Sequence, residues 1–249
     1  MHRFFIPPEI VTQSSPEITG SDANHIRRVI RLHPGDEIEL FDGTGRIYEA
    51  QIIALTANNV QVSILKKMSV KTESSLELVV AQAMLKEKKM DRLLRQLTEL
   101  GISRWVPFAS QRSIATPKPE RLAARIVRWE TIARESLKQC RRGVMPQIDR
   151  LKSFQEIIEM GTHFDLAIIF WENEKAPLSK AFVDSQKPKS LLAVFGPEGG
   201  FSEQEVSMAR AAGFIGASLG PRILRAETAT TAGSALLQYL FGDMGPKKS

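Results

Sequence analysis

Three short apolar stretches constrain this chain most: the strand LELVVAQAM (76–84) and the continuous runs FDLAIIF (164–170) and SLLAVF (190–195). Runs of strand length with no polar alternation fit strands buried on both faces, which requires helices above and below a parallel sheet. The intervening sequence supplies those helices. Met90, Leu93, Leu94, Leu97 and Leu100 recur at helical spacing up to Gly101, a helix stop. Residues 119–140 carry Leu122, Ile126, Trp129, Ile132, Ala133 and Leu137 at similar spacing, with a further strand, WVPFAS, at 105–110. Strand and helix in alternation predict an α/β domain from residue 73 to 249.

The first 72 residues follow another period. Ile38 and Leu40, then Ile47 and Ile52, flank the turn Asp42-Gly43-Thr44-Gly45, a hairpin signal, and Val60, Val62 and Ile64 continue the alternation. One helix is expected from Ser21 to Arg31, with Ser21 or Asp22 as its N-cap. Short strands with one helix predict a small β-barrel over 1–72. The polar stretch Ser69 to Ser75 reads as the linker, and the final GPKKS as disordered.

No stretch approaches the ~20 apolar residues that cross a bilayer, and the N-terminus lacks the apolar run of a secretory signal. The single cysteine, Cys140, excludes an intramolecular disulfide, and the four histidines show no metal-ligand spacing. The expectation is a cytoplasmic protein without a structural metal. The net charge of +6 is unevenly placed: residues 1–72 balance 8 Lys and Arg against 8 Asp and Glu, whereas 86–142 hold 15 against 6, a surplus of +9. Such a block either attracts polyanions or forms a solvated helical face.

Two segments carry chemistry. In LLAVFGPEGGFSEQEV (191–206) a buried strand ends at Phe195, gives way to Gly196-Pro197-Glu198-Gly199-Gly200, and leads to a helix marked by Ser202 and Glu205 at capping-box spacing. Ligands of open α/β sheets lie beyond the C-terminal ends of strands, and glycines let backbone approach them closely. No Walker A or dinucleotide fingerprint is present. In ASLGPRILRAETATTAGSALLQYLFGD (217–243) a very short strand around Ala217–Leu219 turns at Gly220-Pro221. A helix from about Thr228 to Phe241 follows, beginning with small residues that permit close approach of a ligand, a threaded chain or a partner subunit, or simply tight core packing.

FGPEGGFSEQE followed by LGPRILRAETA resembles the last two motifs of the SPOUT superfamily of methyltransferases, and most closely the bacterial 16S ribosomal RNA uracil-N3 methyltransferases. LLRQLTELGISRWVPF (93–108) resembles that family's first motif. ARESLKQCRRGVMPQI (133–148) resembles its segment running from glutamate through arginine to proline. HRFFI and HIRRVIRLHPGDEIELFDGTG look like its N-terminal region. The resemblance implies a PUA-like RNA-binding β-barrel followed by a SPOUT-type α/β domain with a C-terminal trefoil knot, a topology ordinary chain-connection rules would not propose. It implies S-adenosyl-L-methionine as cofactor, a homodimer, and ribosomal RNA, free or in the small subunit, as substrate. The cofactor is expected against Phe195, Gly196, Pro197, Gly199, Gly200, Leu219 and Gly220, with Ile223, Leu224, Arg225, Thr228 and Ala229 completing the pocket.

Methylating N3 of uracil requires loss of the N3 proton, and negative charge then spreads to O2 and O4. Arg225 is the candidate cation for that charge, or else a clamp on loop carbonyls. Glu227 is either a base or a cap at the positive end of the last helix, the cap being favoured; Glu198 and Glu172 are alternative carboxylates. RNA is expected at Arg3, Arg28 and Arg31 in the barrel and at Arg141 and Arg142 in the basic block. Two rival functions stand beside this one: methylation of another RNA position, and a non-catalytic RNA-binding assembly protein.

Overall fold

A computed structural model describes residues 1–69, 72–113, 119–178 and 187–246. The chain forms two compact units, one of residues 1–73 and 134–145, the other of 74–133 and 146–249.

The first unit is a five-stranded sheet in the order β1-β3-β4-β5-β2, a nearly closed small barrel. Its strands are β1 (Arg3–Phe5), β2 (Glu17–Thr19), β3 (Glu37–Phe41), β4 (Arg46–Leu55) and β5 (Asn59–Ser69). Helices α1 (Pro8–Val11) and α2 (Gly20–Asn24) lie between the early strands. The expected hairpin forms: Phe41 pairs with Ile47 across the turn. Asp42 fixes that turn by accepting the Thr44 backbone N–H at 2.8 Å and the Tyr48 hydroxyl at 2.9 Å. The inward face of β4 is Tyr48, Ala50 and Ile52, not Ile47, which sits half-buried on the other face. Ile47 and Ile52 differ in parity, so they cannot share one face of a regular strand.

The expected helix from Ser21 to Arg31 is two pieces. After α2 the chain makes a π-helical turn over His25–Ile30, which ends at Arg31 in the left-handed conformation (φ 62°). The N-cap is Thr19, without a side-chain capping bond. Asp22 instead accepts Lys138 Nζ at 2.7 Å. Nor is the segment after β5 a free linker. Residues 70 and 71 lie outside the described residues, but the Glu73 carboxylate accepts Arg142 at 2.8 Å and the Gly143 N–H at 3.0 Å.

The second unit is an all-parallel sheet in the order β12-β10-β11-β6-β7-β8, with β9 also paired to β7. Its strands are β6 (Glu77–Ala83), β7 (Arg104–Ala109), β8 (Gln147–Ile148), β9 (Lys152–Ser153), β10 (Leu166–Phe170), β11 (Ser190–Phe195) and β12 (Ile215–Ala217). The helices are α3 (Glu87–Glu99), α4 (Pro119–Cys140), of which residues 134–140 belong to the first unit, α5 (Phe154–Gly161), α6 (Glu203–Ala211) and α7 (Ala226–Phe241). Alternate residues of each central strand enter opposite cores, as the apolar stretches require. Leu78, Val80, Leu191, Ala193 and Phe195 face Met90, Leu93, Leu94, Leu97, Trp129 and Leu237 of α3, α4 and α7. Val79, Ala81, Leu192 and Val194 face Phe154, Ile157, Val206 and Ala209 of α5 and α6. Burying each of the Val, Leu, Ile, Phe and Met side chains among them contributes about 1.5–3 kcal/mol, which is why the three stretches dominate the fold. The last three residues, including the end of GPKKS, lie outside the described residues.

Candidate active site

A cavity of about 480 Å³ opens at the C-terminal ends of β10, β11 and β12, whose last residues Phe170, Phe195 and Ala217 line it. Its floor is the Phe170–Phe195 pair, stacked at 4.5 Å and 4°. α7 passes close to that floor because residue 233 is glycine: a Cβ there would stand 2.7 Å from the Phe195 ring. One wall is the loop 196–200, and the other is 217–225, which runs into α7.

Each wall has a local cause. Ser202 and Glu205 form the expected capping box, so α6 starts at Glu203 and the loop before it is held short. Gly200 takes φ +67°, a conformation glycine adopts without strain. A Cβ there would also meet a Glu172 carboxylate oxygen at 2.0 Å. Gln82, fully buried, donates to the Gly196 carbonyl at 3.0 Å and accepts the Thr230 hydroxyl at 2.5 Å, joining loop, sheet and α7. Lys89 on α3 reaches Glu198 Oε1 at 3.1 Å and Glu227 Oε2 at 3.2 Å. Burial pulls the Lys89 ammonium down, but the two carboxylates outweigh it and raise its pKa. Burial pushes Glu227 up, yet its own backbone N–H, Lys89 and Arg225 hold it below the ordinary carboxylate value.

Of the residues expected in the cofactor pocket, Phe195, Gly196, Pro197, Gly199, Gly200, Leu219, Gly220, Ile223, Leu224, Arg225 and Ala229 line this one cavity. Thr228 does not: it is exposed in the first turn of α7. Arg225 is the N-cap residue of α7, and its guanidinium has no ion pair among the described residues. Glu227, in that first turn, is committed to Lys89 and does not line the cavity. Glu172 and Glu198 both line it.

The arginines expected on RNA divide. Arg28, Arg31 and Arg141 are exposed. Arg142 is 5% exposed and paired with Glu73. The Arg3 side chain is 7% exposed, paired with Glu39 at 3.0 Å and donating to the Arg142 carbonyl at 2.9 Å. Both guanidiniums are therefore consumed inside the first unit, because an arginine beside a matching carboxylate is more stable paired than facing solvent. Sequence reasoning missed Gln82 and Lys89. Gln82 had a signal, a lone amide inside an apolar strand, since a buried polar group must find a partner. Lys89 had none, being one of several lysines in KEKK.

The geometry can hold a small, partly apolar ligand against backbone groups. Among the described residues the amides of Leu219 and Leu224 have no hydrogen-bond acceptor, so they are available to one, and the volume suits a small-molecule site. No group of three or more His, Cys, Asp or Glu among the described residues could hold a metal ion.

Residues 72–238 match the family model described as the RNA methyltransferase domain, and 18–65 match an RNA methyltransferase PUA domain. The ribosomal RNA small subunit methyltransferase E of Synechocystis is 30% identical over 242 residues, covering 96% of this chain and 78% of the relative. The Bacillus subtilis protein of the same name is 29% identical, covering 96% of each chain. A crystal structure of the Neisseria gonorrhoeae protein of that name, bound to S-adenosyl methionine, superposes with a TM-score of 0.86 at 30% identity. It covers 98% of this chain and 99% of that one. Sequence along nearly the full length and backbone geometry agree, and the chain belongs to the ribosomal RNA small subunit methyltransferase E family of RNA methyltransferases.

Proposed function

We propose that this protein is an S-adenosyl-L-methionine-dependent methyltransferase that methylates N3 of a uridine in 16S ribosomal RNA. The observation that carries the reading is the cavity at the ends of β10–β12, walled by glycine-rich backbone with the unpaired Arg225 at its rim. Gly196, Gly199, Leu219, Gly220 and Leu224 would hold the cofactor's polar groups through backbone, and the Phe170–Phe195 floor with Ile223 and Ala229 its apolar body. When bound, the cofactor supplies an electrophilic sulfonium methyl.

This chain's residues do the rest. The target base must leave its stack to reach the cavity. As N3 gives up its proton to water, the Arg225 guanidinium would stabilise the charge growing on a flanking carbonyl oxygen. Glu227 is ionised and engaged by Lys89, which suits holding the start of α7 rather than accepting the proton. We further propose that the trefoil knot implied by the resemblance forms around this cavity and that the protein acts as a homodimer. The exposed apolar residues Leu236, Tyr239, Leu240 and Met244 near the end of α7 support the latter.

Mass spectrometry of 16S ribosomal RNA from cells with and without the gene tests the reading. Loss of one N3-methyluridine supports it. Loss of a different methylated nucleotide favours the rival RNA position, and unchanged RNA favours the non-catalytic reading.

A further inference from the structure

Part of the +9 surplus of residues 86–142 falls in two rows of cations in the second unit, exposed except for the half-buried Arg125. On α3, Lys88, Arg92 and Arg95 are all exposed. They recur at spacings of four and three residues, which places them on one helix face, opposite the buried Met90, Leu93, Leu94 and Leu97. On α4, Arg121, Arg125 and Arg128 recur in the same way and line a cleft of about 270 Å³ with Ala124, Trp129 and Asp91. Asp91 joins the rows: it pairs with the Arg128 guanidinium and accepts the Trp129 indole N–H at 3.1 Å.

A merely solvated helix face would intersperse carboxylates at the neighbouring positions. Here Glu99 closes the α3 row one turn beyond Arg95, and Asp91 is the only carboxylate among the described residues lining the cleft. Lys88, Arg92, Arg95 and Arg121 have no ion pair among the described residues. The α3 row also begins beside the active site, because Lys89, next to Lys88, lines the cavity.

We infer that these two rows bind the sugar–phosphate backbone of the RNA flanking the nucleotide that enters the cavity. The inference rests on the functional reading above and deepens it by assigning the substrate a surface in the second unit. A run of like charge opposite a polyanion gains affinity by releasing condensed counterions. A target base held in the cavity leaves its neighbouring phosphates within reach of the start of α3.

The test is the triple variant Arg92→Glu/Arg95→Glu/Arg121→Glu. None of the three packs in the core or lines the cavity, so melting temperature and S-adenosylmethionine affinity by calorimetry should match the wild type. Binding to purified 16S ribosomal RNA is measured by anisotropy across a salt series. We expect affinity to fall at least ~10-fold and the slope of log Kd against log salt to shrink by about 2, near 0.7–0.9 per lost phosphate contact. The double variant Arg28→Glu/Arg31→Glu in the first unit is the comparison. An unchanged slope in the triple variant, with loss only in the double, overturns the surface whatever the activity. Wild-type protein that binds RNA through the rows yet transfers no methyl group would overturn the functional reading and leave the surface standing.

Discussion

Lys89 Nζ lies 3.2 Å from Glu227 Oε2, and the same ammonium lies 3.1 Å from Glu198 Oε1. One side chain of α3 thus ties the first turn of α7 to the glycine loop. Removing it in Lys89→Met leaves the Glu198 and Glu227 carboxylates without their shared cation. Glu227 has a depressed pKa, so its share of stability is present above its ordinary value of 4.5 and fades as pH falls through the folded value. Lys89 has a raised pKa, so its share is present below its ordinary value of 10.5 and fades as pH rises through the folded one. The gap in melting temperature between wild type and Lys89→Met should therefore be widest between about pH 4.5 and 10.5 and narrow at both ends. A gap that does not vary with pH would contradict the tie.

Gly233→Ala sets two effects against each other. Alanine in a helix interior is worth roughly 0.5–1 kcal/mol over glycine. At this position the new Cβ would stand 2.7 Å from the Phe195 ring, and overpacking a dense core costs about 1–3 kcal/mol. The clash should win, giving a net loss of about 1–2 kcal/mol in chemical denaturation, with weaker cofactor binding because the aromatic floor is displaced. A stabilised variant would show that the floor yields freely.

Gly199→Val should weaken S-adenosylmethionine binding by at least ~10-fold while the fold survives. A Cβ at 199 meets the Arg112 Cβ at 3.3 Å and the Arg112 carbonyl oxygen at 3.6 Å, so the two loops must part by a few tenths of an ångström, which displaces the backbone wall of the cavity. Calorimetry beside circular dichroism checks this. Full affinity in a folded variant removes the loop from the pocket.

Arg225→Ala should lower the single-turnover rate ~10²–10³-fold, the usual effect of removing one donor to a developing oxyanion, with cofactor affinity nearly unchanged. Arg225→Lys keeps the charge but loses the planar fork, so it should recover only part of the loss. Raising the pH should partly rescue Arg225→Ala, because more of the uracil ionises unaided. Loss of cofactor binding and melting temperature together, without pH rescue, would mark Arg225 as a clamp on the loop instead.

The sheet of the second unit and most of its cavity were legible because each rests on local signals. Three apolar runs demand burial on both faces, and Ser202 with Glu205 places the start of α6. Glycines at 196, 199, 200 and 220 mark where backbone must turn or come close. The ties across the site were not legible. Gln82 to Gly196, and Lys89 to Glu198 and Glu227, join residues more than a hundred positions apart, and nothing in a lysine-rich stretch says which ammonium turns inward. Thr228 was expected in the pocket because it follows RILRAE, but α7 begins at Ala226, and the helical turn points residue 228 to solvent. Arg142 was expected on RNA as part of the basic block and Arg3 as part of the barrel. The Glu73 and Glu39 that neutralise them are distant in sequence, so charge counted along the chain overstated the charge available to a polyanion.

The first unit takes its last piece, residues 134–145, from far downstream of residue 73. During synthesis the small barrel therefore lacks Lys138 for Asp22 and Arg142 for Glu73 until that piece has left the ribosome. At ~5–20 residues per second this delay is roughly 4–14 s. By then β6, α3 and β7 are already outside the tunnel, so the small barrel waits on a segment that follows half of its neighbour's sheet, and the second unit waits longer still for β10, β11, β12 and α7. A nascent chain stalled near residue 110 should expose the barrel to protease, whereas one stalled well past 180 should protect it.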